Sequence, residues 1–151
     1  MPSGARCFPN LTVLENLELA SHRSRSGDGW NRARVFEIFP KLDQLKGNLA
    51  GGLSGGERQM LAVGRALMSN PVVILMDEPT EGLAPVVVQA IGHLILDLKK
   101  TGIGILLAEQ NHRMALRVAD RAAFMEKGRI VEEMPAAEAA GSKVLNRILG
   151  V

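Results

Sequence analysis

A single cysteine, Cys7, stands in the 151 residues of this chain, which rules out an intrachain disulfide framework and a zinc site built from several cysteines. It fits a reducing compartment, and a small residue of no special role accounts for it. No apolar run approaches the length of a membrane span, and the opening residues MPSGARCFPN lack the apolar centre of a secretory signal, so the chain is expected to stay in the cytosol. Long basic tracts are absent too. The net charge of +2 comes from scattered Lys and Arg with acidic residues close by, so no nucleic-acid partner is expected. Internal repeats and low-complexity tracts are missing. The most specific absence is the loop G-x-x-x-x-G-K-[ST], whose amides and lysine cradle nucleotide phosphates; the sequence contains none.

What is present fits one α/β domain with a buried core, at 46% hydrophobic and 23% charged residues. Thr12 followed by Glu15 forms a capping box, which predicts a short helix from Val13 with Leu14 and Leu17 inward and Leu19 as a further inward candidate. Residues 21–29 lack apolar periodicity and read as a flexible connection. Residues 30–42, WNRARVFEIFPKL, place Trp30, Val35, Ile38, Phe39 and Leu42 near helical spacing, with Pro40 ending or bending the last turn. The first fifty residues are therefore expected to be mostly helical.

After the turn GGLSGG, residues 57–69 carry Met60, Leu61, Val63, Gly64, Leu67 and Met68 on one helical face, and Asn70-Pro71 closes the helix. Residues 72–76 are a continuous apolar run, the pattern of a strand buried on both faces in a parallel sheet. A helix over 86–100 and a second apolar run, IGILLA, complete a right-handed strand-helix-strand unit. Beyond it, NHRMALRVAD reads as a helix, AAFMEKGRIVEE as two strands joined at Lys127-Gly128, and residues 135–149 as helix again. Met60, Met68, Met76, Met114 and Met125 fit core packing, and the three histidines, His22, His93 and His112, have no nameable ligand.

Two short stretches carry chemistry. Asp77 and Glu78 follow the first apolar run, at the carboxyl end of a parallel strand, where open α/β sheets place their ligands. Asp77 there can hold a magnesium ion through water, and Glu78, partly desolvated beside a phosphate, can act as a general base. A solvated strand end explains the same pair. Ser54, Gly55 and Gly56 precede a helix, so unpaired amides and the positive end of the helix dipole make an anion site. An ordinary glycine-rich turn with a serine cap is the alternative, and the spacing of the two stretches favours the site.

LSGGERQMLAVGRAL, then PVVILMDEPTEGLAP, then GILLAEQN resemble, in this order and spacing, the C-terminal part of the ATP-binding subunit of an ABC transporter. The resemblance covers almost the whole chain and is closest to the branched-chain amino-acid importers. It implies an incomplete ABC ATPase domain of P-loop NTPase-like α/β fold: a mainly helical subdomain over 1–52, a core over 53–133 with half of a mainly parallel sheet, and C-terminal helices over 134–151. Carried over by position, Leu53, Ser54, Gly55, Gly56 and Glu57 form the signature motif. Residues 72–77 form the Walker B strand, ending at the metal-binding Asp77, with Glu78 as catalytic base. Glu81, Gly82, Leu83 and Ala84 form the D-loop, and Gln110 is the switch residue.

The implied substrate is ATP with Mg2+, and the implied partners are a second ATPase subunit, paired head to tail, and transmembrane permease subunits on the inner face of the cell membrane. Each signature motif then caps the γ-phosphate of an ATP held by the partner's phosphate loop. The resemblance also implies that the chain is a fragment, with apolar sheet edges left open where the phosphate-loop strand would lie. The sequence departs from the pattern at Ser3, where the family's Q-loop carries Gln or Glu, and at Gln110, where many members carry His. An amide still donates a hydrogen bond but cannot become cationic. The helical front is where the family meets its membrane subunits, so Phe8 and Phe36 are contact candidates, although core packing is the stronger reading for each. A urea or amide importer subunit and a non-catalytic partner that supplies LSGGE in trans are the alternatives. A DNA-repair or chromosome ATPase is disfavoured, because about fifteen residues separate the signature from the Walker B strand and no coiled coil or basic groove is visible.

Overall fold

The computed structural model describes residues 7–21 and 29–149. Ser3, His22 and most of the expected connection over 21–29 lie outside the described residues. Two compact units divide between Glu109 and Gln110.

The first unit opens with helices. Helix α1, Val13–Ser21, starts at the expected capping box: the Thr12 amide and hydroxyl donate to Glu15 Oε2 at 2.7 and 2.8 Å, and the Glu15 amide donates to Thr12 Oγ1 at 3.2 Å. Val13 and Leu17 are buried, but Leu19 faces outward and Asn16 takes the inward place. The reason is polar: Asn16 Nδ2 donates to the carbonyls of Phe8, Leu11 and Thr12, and its Oδ1 accepts from the Phe8 amide. One buried amide thereby closes the loop ahead of the helix, which Leu could not do.

Helices α2, Arg32–Ile38, and α3, Pro40–Gln44, break at Phe39, as Pro40 requires. Asn31 caps α2 by accepting from the Arg34 amide at 3.1 Å. Helix α4, Gly55–Leu67, carries the first unit's core on the face containing Leu61, Gly64 and Leu67. A Cβ at Gly64 would lie 3.0 Å from Val35 Cγ1 and 3.1 Å from Leu17 Cδ2, so α1 and α2 both approach α4 at this glycine. Trp30 is buried, with the Arg34 guanidinium over its ring at 4.4 Å, and its backbone amide and carbonyl are both bonded by the Asn70 side chain.

Strand β1, Val73–Asp77, runs parallel to β2, Gly104–Ala108, with Leu75 opposite Leu106 and Asp77 opposite Ala108; helix α5, Pro85–Lys100, connects them. The parallel pair and its helix are as the sequence implies, but burial on both faces is not. Ile74 and Met76 are buried, whereas Val73, Leu75 and Leu106 are 52%, 57% and 64% exposed. Side chains alternate across a strand, and no described segment covers the second face.

The second unit contains helix α6, His112–Val118, strands β3, Arg121–Glu126, and β4, Arg129–Pro135, and helices α7, Ala136–Ala139, and α8, Lys143–Leu149. The strands form an antiparallel hairpin whose turn, Lys127-Gly128, has both residues at positive φ, the geometry that matches the strand twist. Phe124, Ala139, Val144 and Leu145 form its core. Met125 is not part of it: it is 65% exposed on the outer face of the hairpin, against the core packing expected for the methionines.

Candidate functional site

Leu53 is buried ahead of α4, and its carbonyl accepts from the Arg58 guanidinium. Ser54 is the N-cap, and the cap is reciprocal. The Glu57 amide donates to Ser54 Oγ at 3.3 Å, and Glu57 Oε2 accepts from the Ser54 amide at 2.8 Å. That backbone bond first, and the Ser54 side chain second, hold the Glu57 carboxyl below its ordinary value. The amides of Gly55 and Gly56 find no protein acceptor among the described residues, and they sit at the positive end of a thirteen-residue helix.

The two glycines do more than expose amides. A Cβ at Gly56 would lie 2.7 Å from Val87 Cγ1, and one at Gly55 would lie 3.1 Å from Leu83 Cδ2. Gly55 and Gly56 therefore lie close against Leu83, in the loop of Glu81, Gly82, Leu83 and Ala84, and against Val87 in the first turn of α5. Glu81, Gly82 and Ala84 are exposed and Leu83 is half-buried; Gly82 has φ 68. Pro85 opens α5 at a position where a missing amide costs nothing.

Asp77 ends β1 with its side chain exposed. Glu78, half-buried, leaves the strand with φ 45, in the left-handed region that non-glycine residues rarely occupy, and its amide donates to the Ala108 carbonyl at 2.8 Å. Two residues on, Thr80 is only 6% exposed, and both its amide and its hydroxyl donate to Glu109 Oε1, at 2.9 and 2.6 Å. The end of β2 thus holds the turn that follows β1.

Sequence reasoning passed over Thr80 and Glu109. The available signal was a carboxylate directly after the second strand, which the parallel register brings beside the residues following Asp77. Within the first unit the structure brings together Gly55, Gly56 and Leu83, and separately Glu78 with the end of β2. Gln110 is exposed and begins the second unit, where its carbonyl accepts from the His112 amide at 2.8 Å. Among the described residues no three His, Cys, Asp or Glu gather into a metal cage.

A family model described as ABC transporter matches residues 1–81. The high-affinity branched-chain amino acid transport ATP-binding protein BraG of Pseudomonas aeruginosa is 44% identical over 99% of this chain and 65% of its own length. Among solved structures, the ADP conformation of MJ1267, an ATP-binding cassette of an ABC transporter, superposes with TM-score 0.76 at 30% identity, covering 95% of this chain and 64% of that one. The dimeric bacterial ABC transporter cassette MJ0796 gives TM-score 0.72 at 27% identity, covering 89% and 61%. The chain spans less than two thirds of each of these relatives. With the family model over residues 1–81 and the sequence relative and solved cassettes over nearly the whole chain in agreement, the chain belongs to the ABC transporter family and has the P-loop NTPase-like fold of its ATP-binding cassettes.

Proposed function

We propose that this chain works as an ATP-binding and ATP-hydrolysing subunit that energises a branched-chain amino-acid importer, with the phosphate loop supplied from outside these 151 residues. The observation that carries this reading is the glycine turn seated on residues 83–87 with two amides left for an anion. The cargo class follows BraG, whose name states it.

In this reading a second ATPase subunit, paired as in the dimeric MJ0796 cassette, holds an ATP against Ser54, Gly55 and Gly56, which bind its γ-phosphate by hydrogen bonds and helix dipole. Leu53 and Glu57 fix that turn, and the loop of Glu81, Gly82, Leu83 and Ala84 meets it through Leu83. Glu78 takes the proton of the attacking water, and Gln110 donates an amide hydrogen bond to the γ-phosphate. The exposed Asp77 carboxylate suits Mg2+, an ion that keeps several waters and needs one or two carboxylates beside the substrate phosphates. Bound there, the ion neutralises charge developing on the phosphate oxygens. Transmembrane permease subunits, which the transport names of the relatives imply, provide the passage in this reading and hold the chain at the inner membrane face.

Replacing Glu78 tests the reading. With the phosphate loop in place, on the same polypeptide or on a partner, Glu78→Gln is expected to keep ATP binding and to lower turnover by on the order of 10²–10⁴. Turnover at the parent rate would remove Glu78 from the role of base. A chain that co-purifies with another ATPase, stimulates it through Ser54 and needs no Glu78 would instead support the non-catalytic partner reading.

A further inference from the structure

We propose that Glu109 is a positioning residue for the hydrolytic step, holding the turn that presents Glu78; the inference rests on the reading of Glu78 as base. Glu78 lies between two anchors that both belong to the end of β2. Its own amide is held by the Ala108 carbonyl at 2.8 Å, and two residues later Thr80 is held through amide and hydroxyl by Glu109 Oε1. A residue at φ 45 between two fixed points has little freedom to relax towards the more favourable extended or right-handed regions. Bonds to a carboxylate are stronger than bonds to a neutral acceptor, and burial of Thr80 keeps water from competing for them. Strand β1 alone does not fix where Glu78 points, because the residue lies beyond the strand's last pair, Asp77 with Ala108.

The grip needs an oxygen acceptor at this place, and the charge strengthens it without creating it. Glu109→Gln keeps that oxygen, Glu109→Ala removes it, and Thr80→Val removes only the hydroxyl half. With ATP and the phosphate loop in place, Glu109→Ala is expected to lower kcat by about 10²-fold, the cost of a misplaced catalytic group, while KM for ATP stays within about twofold. Thr80→Val is expected to fall between Ala and parent, and Glu109→Gln to stay near the parent.

A second measurement needs no turnover. Hydrogen exchange at the Thr80 amide should quicken by about tenfold in Glu109→Ala, the equivalent of one charge-assisted bond, with α4 still protected and the effect reversed in Glu109→Gln. Parent kcat in Glu109→Ala, an effect confined to KM, or a Gln variant as impaired as Ala would each overturn the inference. If Glu109→Ala loses protection across α4 as well, Thr80→Val decides: unchanged kcat overturns the inference and a partial loss supports it. Glu78→Gln run alongside separates the two levels. Normal turnover in that variant removes the base reading and the inference with it, whereas loss there with no loss in Glu109→Ala removes the inference alone.

Discussion

Glu57 and Glu15 do the same work on different helices: each carboxylate accepts the amide of the residue three positions earlier and each is held below its ordinary value of 4.5 by that bond first. A carboxyl whose folded pKa lies below its unfolded one contributes stability that is complete above the unfolded value and is lost as pH falls through the folded value. Both caps therefore act fully at neutral pH and fail only below 4.5. The double variant Glu15→Gln/Glu57→Gln should accordingly lose less unfolding free energy than the parent between about pH 7 and about pH 3, as urea melts at the two pH values would show. An equal loss in both proteins would mean that other carboxyls govern the acid limb. Ser54→Ala should cost about 1 kcal/mol at neutral pH, because the Glu57 amide loses its acceptor.

At the level of elements, the contact between the signature turn and α5 leaves no room for a methyl group. A Cβ at Gly56 lies inside the normal approach distance of Val87 Cγ1, so Gly56→Ala forces α4 and α5 apart and is expected to cost about 1–3 kcal/mol, a price that adding Val87→Ala recovers in part. Denaturant melts of the two single variants and the double variant measure this. Purely additive losses would mean that the two residues do not meet. The elements themselves were largely legible: Thr12-x-x-Glu15, the Pro40 break, the run before Asp77 and the Lys127-Gly128 hairpin all write local rules directly into the sequence. The Gly56 contact was not legible, since a glycine in a turn reads as conformational freedom, while here its role is the space it leaves for a residue thirty-one positions away. Glu109 escaped for a similar reason. Its bond to Thr80 spans twenty-nine residues and depends on the parallel register, which no local pattern states. Asn16 escaped, and Leu19 was read as an inward candidate, because hydrophobic spacing takes no account of a side chain that satisfies four backbone partners at once.

Across the whole molecule, the sheet of the first unit exposes the difference between an apolar run and a buried one. The run VVILM is equally apolar on both sides of its strand, so it records that two layers suit this sheet, not that both lie within these residues. Ile74 and Met76 are covered; Val73, Leu75 and Leu106 stand exposed in adjoining positions, and β1 and β2 pair only with each other among the described strands. Covering each such side chain is worth about 1.5–3 kcal/mol, and open strand edges add unpaired amides and carbonyls beside the patch. These 151 residues prepared alone should therefore self-associate through this face. Leu75→Lys with Leu106→Lys places two charges at opposed positions on that face, away from the glycine turn and from Glu109, and should lower the associated fraction seen by light scattering while leaving α4 protected from hydrogen exchange. Association undiminished by the two lysines would move the sticky surface elsewhere, with Met125 and Ile130 on the hairpin of the second unit next to be substituted.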